Sequence, residues 1–80
     1  MEAYKNKASG VTGYIIGKDY IKVRFGHAAV YTYDYDSASE IRVERMKRLA
    51  RAGKGLSSYI SQVVRGDYAR KKSLRDSSDE

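Results

Sequence analysis

The chain has 80 residues, no cysteine and a formal net charge of +6. Its length and its hydrophobic fraction of 41% support one small core, and the lack of cysteine excludes disulfide bridges and thiolate metal ligands, which favours the reducing cytoplasm. No stretch reaches the roughly 18 apolar residues of a membrane span, and residues 1–10 lack the apolar segment of a signal peptide, so we expect neither membrane insertion nor export.

The first half of the chain has the sequence pattern of β-strands. Residues 1–9 are predicted to be a flexible N-terminus. From there, apolar and polar residues alternate with a period of two, or β-branched and aromatic residues predominate, and the runs are separated by turns at Gly17 and at Gly26 with His27. We therefore predict a three-stranded antiparallel meander. The predicted strands are Val11–Ile16, Tyr20–Phe25 and Val30–Tyr35.

After Asp36 the pattern changes to that of a helix. Ser37 is expected to cap its N-terminus, with Glu40 three residues later completing a capping box. Gly53 and Gly55 are expected to end it, because glycine adopts left-handed conformations without strain. Apolar residues at spacings of three and four predict one narrow packing face, formed by Val43, Met46, Leu49, Ala50 and Gly53.

A second helix is predicted to begin with Ser57 or Ser58 as its cap and to end or kink at Gly66. Its apolar side is Tyr59, Ile60, Val63 and Val64. Residues 70–80 contain one apolar residue, Leu74, and are predicted to be a disordered charged tail. The expected fold is therefore α+β, a single domain over residues 10–69 with two helices packed on one face of a three-stranded sheet.

Three tyrosines of the last predicted strand, Tyr31, Tyr33 and Tyr35, share one face. They could be exposed platforms on which unpaired bases stack, or they could be core residues beneath the helices. Asp34 lies on the opposite face and would be costly to bury without a partner, so the core interpretation is favoured.

Residues 1–40 are neutral overall, so the net positive charge lies in the second half of the chain, between Arg42 and Arg75. A solvated helical face, with Glu44 and Arg48 as an ordinary pair, would explain part of it. So many guanidinium groups also suit phosphate oxygens, and we expect contacts to a nucleic-acid backbone. The residues predicted to bind nucleic acid are Arg42, Arg45, Lys47, Arg48, Arg51, Lys54 and Arg65 for phosphate, and Tyr59 and Tyr68 for stacking.

The order of these elements and several short motifs resemble the KTSC domain, a module named for the C-terminus of some lysyl-tRNA synthetases and also found alone in bacterial and phage proteins. The resemblance covers roughly residues 10–68. It implies a stand-alone α+β domain that binds RNA. The matching residues are Ile21, Val23 and Phe25 in one strand, the YxY motif at Tyr31, Thr32 and Tyr33, and Ala52, Gly53, Tyr59, Ile60, Arg65 and Tyr68 further on.

Catalysis is not expected from these residues. His27 is the only histidine and lies in a predicted turn with no carboxylate at a helical or strand spacing, so no nucleophile, base and orienting group can be assembled around it. Asp34 and Asp36 lack the glycine and distal glutamate of a calcium loop, and no phosphate-cradling glycine motif stands between a strand and a helix. We expect no metal, no cofactor and no enzymatic activity.

Two hypotheses of different classes remain. The first is a small module that binds RNA or DNA without strong sequence preference, through its basic helix and through the basic residues of its tail, Arg70, Lys71 and Lys72. The second is a protein-interaction module of the kind phages encode. Its basic helix would bind the acidic or nucleic-acid-binding surface of a host enzyme that processes nucleic acids, and so inhibit that enzyme, or a free sheet edge would allow the module to dimerise.

Overall fold

The structure, a computed structural model, describes residues 2–5, 10–26 and 29–73. These residues form an antiparallel sheet of five strands, in the order β1-β2-β3-β4-β5, and a helical layer. The strands are β1 Glu2–Ala3, β2 Val11–Ile16, β3 Tyr20–Phe25, β4 Ala29–Asp34 and β5 Arg70–Ser73. The helices are α1 Tyr35–Ala38, α2 Glu40–Ala52 and α3 Leu56–Tyr59, which continues as a π-helical segment, Ile60–Val64.

The three predicted strands and the α+β class are confirmed, with one shift at β4. The strand ends at Asp34, and Tyr35 begins α1 instead of completing the strand. In the centre of the sheet, Ile21 of β3 stands opposite Ile16 of β2 and Tyr33 of β4. The predicted alternation therefore places apolar side chains of neighbouring strands in one row on one face.

The prediction of only three strands is wrong, because β1 and β5 lie where a flexible N-terminus and a disordered tail were expected. In β1, Ala3 stands opposite Gly13, and in β5, Arg70 stands opposite Thr32. Every residue of β5 is exposed, so the strand has no apolar pattern by which it could be predicted. It is held in the sheet by main-chain pairing with the edge of β4. Residues 6–9 and 74–80 of the same two predicted segments lie outside the described residues.

The helices pack on the face of the sheet that carries Ile21, Val23 and Tyr33, and this settles which face is buried. Tyr33 is only 1% exposed. Val43 and Met46 of α2 meet this face and have no exposed surface, which confirms the predicted packing side of α2. The core interpretation of the tyrosines is thus confirmed for Tyr33. The other fully buried side chains are Tyr4, Val11, Leu56 and Val64.

Two successive caps start the helical layer, and neither is the predicted box of Ser37 and Glu40. The carboxylate of Asp34 accepts a hydrogen bond from the Ser37 N–H at 2.7 Å, and the Ser37 hydroxyl accepts one from the Asp34 N–H at 3.1 Å. After this single turn, Ser39 caps α2 by accepting from the Arg42 N–H at 3.4 Å. Ser37 is therefore the third residue of a capping box, because the acid before it takes the cap position.

The other helix ends follow the glycines. Gly53, at φ +80°, ends α2 as predicted, and its N–H donates to the Leu49 carbonyl at 3.0 Å. α3 begins at Leu56 directly after Gly55, at φ +84°, with no side-chain cap of its own. The predicted caps Ser57 and Ser58 are wrong, because both lie inside α3.

Tyr4 supplies the missing cap from a distant part of the chain. Its hydroxyl accepts a hydrogen bond from the Leu56 N–H at 3.1 Å, and its ring packs edge-on against Tyr14 with the centroids 6.4 Å apart. The first N–H groups of a helix have no partner within it, so a buried acceptor at this point satisfies a donor that water cannot reach. One side chain thereby joins β1, the sheet and the start of α3.

Replacing Tyr4 tests this anchor. Tyr4→Phe leaves the buried Leu56 N–H without a partner and is expected to cost about 1–3 kcal/mol of unfolding free energy. Tyr4→Ala also leaves a cavity and is expected to cost about 3–5 kcal/mol. Urea unfolding followed by circular dichroism measures both, with Tyr59→Phe as the matched control. A flexible N-terminus would instead leave all the variants as stable as the parent chain.

Ser39 offers a second test, because its backbone lies at φ +87° and ψ 152°. Among the described residues other than glycine, Ser39 is the one whose φ lies well inside the positive range that favours glycine. This region suits glycine almost alone and costs other residues about 1–3 kcal/mol. Ser39→Gly relieves that strain and loses only a few tenths of a kcal/mol of capping, so we expect a gain of about 1 kcal/mol. Ser39→Ala keeps the strain, loses the cap and is expected to be less stable than the parent. If both variants are destabilised equally in thermal melts, Ser39 is not strained.

Candidate nucleic-acid interface

The outer side of α2 carries two of the predicted phosphate ligands in accessible positions. Arg45 and Arg48 are exposed, and neither makes an ion pair with another described residue. They line a shallow groove with Ile41, which is 80% exposed, and with two acids, Glu40 and Glu44. This part of α2 is basic, but the acids beside it reduce its positive potential.

The remaining basic residues of this region are distributed around the helix. Arg51 lines a depression at the other side of α2, together with Glu2 and Tyr14. Lys54 is exposed in the turn after the helix. Arg42 is half-exposed, and its guanidinium lies 4.0 Å from the Asp67 carboxylate. The predicted phosphate ligands therefore do not form one continuous surface.

Lys47 is the clearest correction among the predicted site residues, because it is buried and only 4% exposed. Its ammonium donates to the Glu44 carboxylate at 2.7 Å and to the Lys18 carbonyl at 3.0 Å. The residue lies four positions after Val43 and one after Met46, so it is on the inward side of α2, where its methylene groups pack and its charge is satisfied internally. That spacing was the feature of the sequence from which the burial of Lys47 could have been predicted. A phosphate group cannot reach this ammonium.

Lys47 belongs to a polar cluster that joins α1, α2 and the turn between β2 and β3. The Tyr35 hydroxyl donates to the Glu44 carboxylate at 2.6 Å, and the Lys47 ammonium lies 5.7 Å from the Tyr35 ring centroid. Hydrogen bonds from Lys47 and Tyr35 lower the pKa of Glu44, and the hydrogen bond to Glu44 raises the pKa of Tyr35 to about 12. Glu44 thus pairs with Lys47 rather than with Arg48, and the cluster is structural.

Four aromatic side chains line a pocket on the described surface. Tyr31 packs edge-on against Phe25 at 5.4 Å and against Tyr68 at 4.8 Å between ring centroids. Tyr33 lies behind them, with its ring 6.3 Å from that of Tyr68. The cavity has a volume of about 530 Å³, which is within the range of small-molecule sites. The remaining lining residues are Ala29, Ile60, Ser61, Arg65 and Gly66.

Two cations flank this aromatic pocket. Arg65, in the turn after the π-helical segment, is exposed and lines the pocket. Lys71 of β5 places its ammonium 5.5 Å from the Tyr31 ring centroid. Lys71 was expected to contact phosphate from a disordered tail, and its position in a strand beside the pocket was not predicted, because residues 70–80 carry no strand pattern. Burial, with a smaller effect of neighbouring Tyr31, raises the pKa of Tyr33 above its ordinary value.

Of the two tyrosines predicted to stack, the structure brings one to this pocket. Tyr68 lines it, whereas Tyr59 is half-buried against the core and does not. The two tyrosines of the family motif, Tyr31 and Tyr33, do line it. The pocket therefore collects residues from β3, β4, the π-helical segment and the turn after it, which are far apart in sequence.

Comparison with known proteins adds no assignment: no protein family matches the chain, and neither a curated protein nor a solved structure does. The resemblance to the KTSC domain stays a prediction from its short motifs. Among the described residues, no group of three or more carboxylate or imidazole side chains could hold a metal, and no helix is long and apolar enough to cross a membrane. His27 lies outside the described residues.

The lowered pKa of Glu44 predicts an acid-sensitive fold. A pKa below the ordinary value of 4.5 means that the charged form contributes stability above that pH and that this contribution is lost as pH falls through the lowered value. We expect the melting temperature to fall below pH 4.5 and to fall less in Glu44→Gln. Glu2→Gln, which removes an exposed carboxylate from β1, is the matched control. Parallel melting curves for Glu44→Gln and the parent chain would contradict the role of the cluster.

Proposed function

We propose that the chain is a non-catalytic binding module that contacts RNA or another single-stranded nucleic acid, holding one base in the aromatic pocket and phosphates on the surrounding cations. The observation that carries this proposal is the aromatic pocket, because Phe25, Tyr31 and Tyr68 form its apolar wall and Arg65 and Lys71 flank it. Aromatic surfaces combined with positive charge are the usual means of binding single strands.

The pocket suits a base better than an aliphatic ligand. Its walls are ring faces and edges, and stacking of a base on an aromatic ring contributes about 1–3 kcal/mol without requiring a particular base. The base must be unpaired to enter, because a paired base has its faces covered by its neighbours in the stack. The Tyr31, Tyr33 and Tyr68 hydroxyls provide only a few directional contacts. We therefore propose weak sequence preference.

Phosphates on either side of the bound base would meet the cations near the pocket. Arg65 and Lys71 are closest, and a strand that continues along the helical layer would meet Arg42, Arg45 and Arg48 of α2. Guanidinium groups bind phosphate oxygens in a fork, which favours such contacts. Arg51 lies at the other side of α2 and Lys54 in the turn after it, so neither is on this path, and Lys47 takes no part.

The resemblance to the KTSC domain supports the same site. Six of its motif residues line the aromatic pocket although they come from different elements: Phe25, Tyr31, Tyr33, Ile60, Arg65 and Tyr68. An RNA-binding function implied by the family and a pocket suited to an unpaired base agree in chemistry.

A protein partner is the second candidate function, and one observation favours it. Ile41 is 80% exposed on the outer side of α2, between basic residues. An exposed aliphatic side chain within a basic surface suits an acidic protein surface, as in an inhibitor of a nucleic-acid-processing enzyme, because protein interfaces combine an apolar centre with a polar rim. Direct binding to naked nucleic acid distinguishes the two candidates.

The test is fluorescence anisotropy with single-stranded RNA, single-stranded DNA and duplex DNA over a range of salt concentrations. We expect single strands to bind more tightly than duplex, with a log–log salt slope of roughly −0.7 per phosphate contact. Arg65→Ala is expected to weaken binding several-fold. Lys18→Ala removes the same charge from the turn before β3, at the opposite end of that strand from the pocket residue Phe25, and is expected to leave binding nearly unchanged. The triple variant Arg45→Ala, Arg48→Ala and Arg51→Ala measures the contribution of α2.

Tyr68→Leu separates stacking from charge. The apolar volume is largely kept, but the aromatic face is lost, so affinity should fall by an amount of about 1–3 kcal/mol that does not depend on salt. No binding of the parent chain to any of the three nucleic acids at low salt would refute the proposal and direct the search to a protein partner.

A further inference from the structure

The face of the sheet opposite the helices carries a second group of cations. Strand alternation places Lys22 and Arg24 of β3 on this face, and the register of β5 adds Arg70, opposite Thr32, and Lys72, opposite Val30. No described helix covers these residues, and they come from two segments that lie almost fifty positions apart in the chain. We call this surface the open sheet face.

The four cations form the corners of a compact rectangle. Lys22 stands opposite Thr32, which stands opposite Arg70, so these two cations are separated by two strand spacings, or about 9.6 Å. Lys22 and Arg24 are alternate residues of one strand, about 6.6 Å apart along it. Thr32 lies between Lys22 and Arg70, where its hydroxyl is a further hydrogen-bond donor. These distances are short enough for one linear polyanion to contact several of the cations.

The cations of the open sheet face are not neutralised within the fold. None of the four makes an ion pair with any residue that the structure describes. The guanidinium of Arg24 is held in place by the Thr12 hydroxyl at 2.9 Å, which orients it without neutralising its charge. Four cations without an ion-pair partner on one sheet face favour the binding of an anionic partner.

Two carboxylates of the described residues border this face at one end. Asp19 and Asp34 share a depression with Tyr20, Lys22 and Arg70, near the turn between β2 and β3. Asp34 already accepts the hydrogen bond that caps α1. The positive potential is therefore strongest toward the end of the face that Arg24 and Lys72 occupy.

We propose that the open sheet face binds the phosphate backbone of a single-stranded nucleic acid, as a second surface separate from the aromatic pocket. A linear polyanion fits because the cations lie in two rows across three strands, whereas a single small anion could contact only one or two of them. A membrane surface is a poorer occupant, since the two large hydrophobic side chains that are well exposed among the described residues, Ile41 and Val63, both lie outside the strands of this face. This surface stands on its own geometry and does not depend on the pocket.

The test compares two matched double variants in the anisotropy assay with oligothymidylate and oligouridylate. Lys22→Gln with Lys72→Gln removes two charges at opposite corners of the face. Lys5→Gln with Lys18→Gln removes two exposed charges that line neither the depression on the open sheet face nor the aromatic pocket. We expect the first pair to weaken binding and to reduce the log–log salt slope by about 1.4, from roughly 0.7 per phosphate contact, and the control pair to leave the slope unchanged.

The single variant Lys72→Gln guards against an effect of Lys22 on folding, because Lys72 is exposed on an edge strand, and it should reduce the slope by about half as much. Equal slopes and affinities for the two double variants would overturn the proposal. Arg65→Ala in the same assay separates the two surfaces. If only Arg65→Ala weakens binding, the pocket binds the strand and the open sheet face does not. If only Lys22→Gln with Lys72→Gln weakens binding, the open sheet face binds it and the pocket does not. If the parent chain does not bind at all, both proposals are rejected.

Discussion

The contact between α2 and the β3–β4 hairpin is the interaction on which the rest of the structure depends. Val43 and Met46 cover Ile21, Val23 and Tyr33, and these side chains are excluded from water almost completely. A chain of this length has enough apolar surface for one such layer, so the helices cover one face of the sheet and leave the other open. Burying one face is what sends the lysine and arginine residues of β3 to the opposite one.

This arrangement requires that the free amide groups at the helix starts be satisfied by side chains outside the helices. Asp34 and Ser39 cap α1 and α2, and Tyr4 reaches the first amide of α3 from the N-terminal strand. Glu44, Tyr35 and Lys47 form a closed cluster that uses a cation which would otherwise be free. Several residues that resemble ligand-binding groups in the sequence are therefore engaged in holding the fold together.

What remains available for binding lies at the margins of the core. The aromatic pocket forms where the π-helical segment and the turn after it leave the edge of β4 partly uncovered, so that Tyr31 and Tyr68 are packed on one side and accessible on the other. β5 runs along this edge and sends Lys71 to the pocket side and Arg70 and Lys72 to the open sheet face. One short basic strand thus contributes to both proposed surfaces, which explains why the two face in opposite directions.

The sequence by itself determined the elements whose pattern comes from burial: strands β2, β3 and β4, the packing side of α2 and the glycine that ends it. It also favoured a core position for Tyr33, because Asp34 on the opposite face would be costly to bury. Only the tertiary structure decided the roles of Lys47, Tyr4 and β5. The Lys47 ammonium is satisfied by the Lys18 carbonyl, and the Tyr4 hydroxyl binds an amide more than fifty positions away. β5 forms because β4 offers a free edge for pairing. None of these interactions produces a periodic pattern in the sequence. Periodicity records which side chains avoid water, whereas long-range hydrogen bonds and strand pairing depend on which distant segments the fold brings together.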